Sequence, residues 1–132
     1  MIEDADLIHS YTRADAIKDG TLVDATETAK EAGFRVPVAL TAAVWRNCVS
    51  WSPEDNARVV HQDESGRLWD VVWMAGLTAR RNLKGEGRVP FTIHRVPRDR
   101  KTRRHVPVTL LLDLSPGDNG EPVVTIGFAE DF

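Results

Sequence analysis

The sequence predicts an α+β fold in which N-terminal short helices pack on one face of a C-terminal three-stranded antiparallel meander. Three observations point there: helix-capping residues recur up to about residue 84, apolar and polar residues alternate from residue 89 onward, and Gly85 and Gly87 mark the switch. A chain of 132 residues fits one domain, 1–132, with 1–84 mainly helical and 89–128 forming the meander. That length buries roughly two-thirds of the unfolded surface on folding.

In "YTRADAIKDG", Thr12 caps a turn beginning at Arg13, Asp15 sits near its positive end, and Gly20 permits a left-handed stop. "TLVDATETAKEAGF" repeats this grammar with Asp24, Glu27 and Gly33, and predicts a helix around 25–32. Pro37 suits a first helical position, and Val38, Ala42, Trp45 and Val49 share a stripe, so a core helix is expected near 38–50. "WSPED" restarts a helix with Ser52 as cap and Pro53 at the first position. "DESGRLWDVVWMAGLTARRN" fits a buried helix or the second strand of a hairpin; Trp69, Trp73, Gly76 and Arg80 fall at helical spacing and favour the helix.

Strands are expected at 89–96, 106–114 and 122–128. A four-residue turn at Arg98–Lys101 would set Phe91 opposite Val108 and Ile93 opposite Val106. A second turn centred near Asp118 would set Leu112 opposite Val124, Leu110 opposite Ile126 and Val108 opposite Phe128. Phe91, Ile93, Val108, Leu110, Leu112, Val124, Ile126 and Phe128 then share an inward face, while Thr92, His94, His105, Thr109, Asp113 and Thr125 occupy the reverse face.

Charge is unevenly distributed. Residues 1–64 carry 12 acids and 6 bases, 65–105 carry 3 and 11, and 106–132 carry 5 and none, although the whole chain is only −3. Within the basic third, "RVPRDRKTRRHVP" places Arg95, Arg98, Arg100, Lys101, Arg103 and Arg104 at or beside a projecting hairpin tip, with Arg80 and Arg81 at the end of the preceding helix. Such a tip suits an acidic protein or nucleoprotein complex, direct nucleic-acid binding, or merely a solvated turn. The tip lacks aromatics on which bases would stack, which weighs against a single-strand binder.

No catalytic set assembles, and no enzyme activity is expected. Cys48, the only cysteine, lies among core positions of a helix, where a small apolar filler is the simpler reading than a nucleophile. Asp70 among Trp69, Val71, Val72 and Trp73 reads as a buried anchor paired with arginine. His94 and His105 would be cross-strand neighbours, but two ligands do not make a metal site, and "GEG" at 85–87 lacks the lysine of a phosphate loop. No metal or cofactor is expected. The tryptophans at 45, 51, 69 and 73 read as core rather than as a ligand pocket. A lone cysteine, an acidic N-terminus and no long apolar run predict a cytoplasmic protein with no membrane segment.

Two stretches, "LIHSYTRADAIKDGTLVDATETAKEAGFRVPVALTAAVW" (7–45) and "GRLWDVVWMAGLTARR" (66–81), resemble a family of small uncharacterised bacterial proteins carried on plasmids and other mobile elements. The resemblance covers most of the first two-thirds of the chain and brings no catalytic residues with it. It implies a setting in which small proteins bind host machinery. On that footing the chain is expected to be a non-enzymatic binding protein, of the kind that inhibits a CRISPR or restriction complex, engaging an acidic or nucleoprotein partner through the basic hairpin. The alternative is an accessory protein that binds nucleic acid directly.

Overall fold

A computed structural model describes residues 10–58, 62–82, 87–96 and 104–132. Helix α1 (Arg13–Asp19) begins at a capping box: Asp15 N–H donates to Thr12 Oγ1 at 3.0 Å, and Thr12 N–H donates to the Asp15 carboxylate at 3.2 Å. Gly20, at φ 87°, ends it in the left-handed region. Strand β1 (Leu22–Asp24) leads to α2 (Thr26–Glu31), whose entry is held by Asp24 Oδ1 accepting from both Thr26 N and Thr26 Oγ1.

The next element overturns the expected fold class. Residues Val38–Thr41 are strand β2, with all four side chains buried, instead of the first turn of a helix over 38–50. β2 pairs antiparallel with β1 and parallel with β5 (Pro122–Gly127), and with β4 (Val106–Pro116) and β3 (Gly87–Arg95) beyond it the sheet has five strands in the order β1-β2-β5-β4-β3, mixed in direction. The three-stranded meander is only its outer part. A strand buried on both faces is apolar throughout and has no period-two signature, which let its residues pass for one stripe of a helix.

Helix begins only at α3 (Ala42–Val44), capped by Thr41 Oγ1, and widens at once into a π turn over Trp45–Val49 closed by Ser50 N–H to Trp45 O at 2.8 Å. α4 (Pro53–Arg58) follows, with the Ser52 hydroxyl accepting from Asp55 N–H and the Asp55 carboxylate accepting from Ser52 N–H. The ambiguous stretch is one long helix, α5 (Glu64–Asn82), that buries Arg67, Val71, Val72, Ala75 and Gly76. Gly76 lets it approach α2 closely, since a Cβ there would lie 3.4 Å from Ala32 O.

Strands β3 (Gly87–Arg95), β4 (Val106–Pro116) and β5 (Pro122–Gly127) run antiparallel in sequence order, but each register is displaced by two residues from the expected one. Phe91 faces Leu110 and Ile93 faces Val108; Leu112 faces Ile126 and Leu114 faces Val124. A two-residue slip keeps every side chain on its face. Phe91, Ile93, Leu110, Leu112, Val124 and Ile126 are accordingly buried, with Val108 and Phe128 packed at the margin. Val38 and Leu40 extend this face under α2, α3 and α5, and Cys48, Val49, Val71, Val72 and Ala75 complete the core. Among the described residues, no helix is long and apolar enough to cross a membrane.

Candidate functional site: the groove between the long helix and the edge strand

α5 lies against β3, the last strand of the sheet, and two buried arginines fasten them together. Position 67 falls on the same helical stripe as Val71 and Ala75, so Arg67 enters the core and is 2% exposed. Its guanidinium donates to Val49 O at 2.9 Å, Asn47 O at 3.4 Å, Val96 O at 3.2 Å and Gln62 Oε1 at 2.5 Å, and it lies 4.5 Å from the centre of the Trp51 ring. Arg67 thus satisfies carbonyls at the end of the π turn and at the end of β3. Arg67 is the residue that reading the sequence missed; a charged side chain on an otherwise apolar helical stripe was the signal.

Arg95 corrects an expectation. It points inward on β3 and is 3% exposed, where a wet hairpin residue was expected. Its Nη2 donates to Arg67 O at 2.9 Å and its Nη1 lies 3.5 Å from Asp70 Oδ2, while its Nε has no partner among the described residues. Asp70 does pair with an arginine, but its side chain is 64% exposed, so it forms a rim and is not the buried anchor expected. Burial pushes the Cys48 thiol beneath this junction up to about 11, against the opposing pull of Arg95 and Arg67. At neutral pH it is a protonated filler.

Two shallow hollows adjoin the Arg95–Asp70 pair. One, of about 210 Å³, lies between Trp73 and Met74 of α5 and Thr92, Ile93 and His94 of β3; the other, of about 280 Å³, opens beside Arg67, Trp69 and His105. Trp69 and Trp73 stack at 5.6 Å, and Trp73 and Met74 are among the large apolar side chains left exposed. Trp73 is therefore surface, contrary to the expectation that all four tryptophans are core.

The remaining basic residues divide. Arg80 is committed to the fold: its Nη2 donates to Ala32 O at 2.9 Å, its guanidinium lies 5.6 Å from the Trp73 ring centre, and it fills the space beside Gly33, whose φ of 103° itself requires glycine. Arg81 and Arg104 are exposed. Arg98, Arg100, Lys101 and Arg103 lie outside the described residues. His94 faces Pro107 and not His105, so the expected histidine pair is not formed across the ladder. Among the described residues no three of histidine, cysteine, aspartate and glutamate gather as metal ligands.

The model of the family of unknown function DUF6573 matches residues 1–132, and the chain belongs to that family. Comparison with curated proteins and with solved structures found no match in either.

Proposed function

We propose that this member of the family is a non-enzymatic binding protein that holds an acidic partner protein against the α5–β3 side of the molecule. The observation that carries the reading is the exposed Trp73–Met74 patch, bordered by Arg80 and continuous with the hollow over Arg95, with Arg81 exposed at the end of the same helix. Exposed apolar side chains ringed by charge are the usual composition of a protein-binding surface, with aromatics and arginine supplying most of the affinity. The surplus of 11 bases over 3 acids in residues 65–105 gives the partner its sign. An indole and a thioether beside the groove suit a protein surface better than a phosphate backbone, whose binding needs little besides positive charge.

The finer form of the proposal is a cytoplasmic protein of a mobile element that inhibits a host defence complex of CRISPR or restriction type. The resemblance read from the sequence supports that setting, and the lone cysteine supports the compartment.

The test begins with capture of a partner by the intact chain and continues with a variant in which Arg81, Arg98, Arg100, Lys101 and Arg103 become glutamate. The variant keeps its circular dichroism, loses affinity by about tenfold or more, and the wild-type affinity falls as salt rises. Unchanged affinity in a folded variant rejects the reading. Parallel anisotropy titrations with DNA and RNA decide the competing class, since steeply salt-dependent binding there makes nucleic acid the partner.

A further inference from the structure

The free side of β3 is the outer edge of the sheet, and the ladder shows which of its main-chain groups face outward. Val124 N–H donates to Pro37 O at 2.9 Å, toward β2, so Val124 and Leu114 are a non-hydrogen-bonded pair of β5 and β4. Leu114, Leu112 and Leu110 therefore bond toward β3, and Gly87, Val89, Phe91, Ile93 and Arg95 are the β3 residues that bond back. The even-numbered residues of β3 turn their main chain outward. Pro90, which lacks an N–H, fits that assignment because its missing donor is on the unpaired side.

An unpaired edge invites association and is normally blunted by proline or charge. Here Arg88 and Pro90 guard the first half of β3, and the last part is closed by Arg67 holding Val96 O. Between them Thr92 and His94 present two N–H and two C=O groups, with no partner among the described residues. This opening lies along the hollow formed with Trp73 and Met74.

We propose that an extended acidic segment of a partner protein adds as a sixth strand at Thr92–His94, aliphatic side chains entering the hollow over Trp73 and Met74 and carboxylates pointing to the opposite face. This deepens the acidic-partner reading above and rests on it. Asp70, on the rim of the hollow, opposes a carboxylate on the helix side. The reverse face carries His94 and Arg88, whose charge Asp113 already offsets at 3.0 Å, so the sign favouring an acidic segment is that of the basic third as a whole, 11 bases against 3 acids over residues 65–105. A second copy of this chain is the poorer occupant, because two basic thirds would meet with like charge.

The probe is an acetylated, amidated octapeptide of alternating valine and glutamate, titrated into the full chain by NMR and calorimetry. It binds, shifts the Thr92 and His94 amides and protects them from exchange. N-methylation of alternate peptide residues weakens binding by about tenfold or more, while N-methylation of the intervening ones does not, the alternation being that of a ladder. Thr92→Pro removes only an outward donor, so the sheet persists and binding is lost; if that variant fails to fold, the N-methyl series on the wild-type chain decides. Absence of binding at millimolar peptide, indifference to N-methylation, equal binding of a valine–lysine peptide, or dimerisation that Thr92→Pro abolishes would each overturn the inference. A captured partner that depends on the basic residues yet ignores Thr92→Pro would remove strand addition and leave the acidic-partner reading standing.

Discussion

The two edges of the sheet are finished in opposite ways. β1 spans only Leu22–Asp24, and local bonds close its surroundings: Tyr11 Oη donates to Asp19 at 2.6 Å and lies 3.1 Å from Thr21 Oγ1, Thr21 O accepts from Ala42 N–H, and the Asp24 carboxylate serves α2. β3 is nine residues long and is fastened at its far end by buried guanidinium groups. A short edge exposes too little backbone to need a guard. A long one must be guarded or used, and among the described residues nothing covers the stretch at Thr92–His94 beside the hollow of Trp73 and Met74.

Breaking the fastening of β3 is the most damaging change. Arg67→Ala leaves the carbonyls of Asn47, Val49 and Val96 without their donor; each stranded buried group costs about 1–3 kcal/mol, so a loss of at least about 3 kcal/mol is expected in urea denaturation. The same variant opens the core beside Cys48, whose native thiol is pushed by burial up to about 11 and so stays protonated. Labelling with a disulfide reagent at pH 8 is accordingly slow in the wild type and limited by opening of this end. It accelerates in Arg67→Ala.

From α1, which packs beside β1, Arg13 donates to Val124 O and Thr125 Oγ1 of the central strand β5, both at 2.7 Å. Arg13→Ala costs about 1–2 kcal/mol, less than Arg67→Ala because solvent reaches the vacated groups. It leaves Cys48 labelling unchanged, which separates the α1 anchorage on β5 from the fastening of β3 as independent units. If both variants accelerate labelling equally, the α1 anchorage and the β3 fastening open together.

The smallest effect is at Tyr11. Its hydroxyl holds the Asp19 carboxyl below the ordinary range, and the same bond raises the phenol. A depressed acid stabilises the fold above its unfolded pKa, and that contribution is lost as pH falls through the folded value. Tyr11→Phe therefore moves the Asp19 titration upward in carboxyl NMR and trims the acid limb of the stability curve, with Tm near neutrality almost unmoved. A large fall in Tm would mean that β1 depends on Tyr11 for more than a surface bond.

Elements whose causes lie within a few residues were legible in the sequence. The caps at Thr12, Gly20 and Ser52 depend on neighbours two to four positions away, and the inward faces of β3, β4 and β5 depend on alternation alone. Of the candidate site, the basic character and the helix bearing Trp69 and Trp73 could be read; the groove could not. Arg95 is expected in water because it adjoins the projecting hairpin tip, and only the crossing of α5 over β3 supplies the Arg67 carbonyl and Asp70 that bring it in. Asp70 was expected inside because its neighbours are apolar, yet a helix turns each successive residue by about 100°.

What the sequence determined by itself was thus the local grammar: where helices start, which face of each later strand is apolar, and where positive charge collects. Tertiary structure alone decided the parallel seating of β2 beside β5, the two-residue register of each hairpin and the identity of the open edge. The reason is common to all three. A fully buried strand has no polar side to mark it, a two-residue slip exchanges no face, and an edge exists only relative to strands brought from elsewhere in the chain.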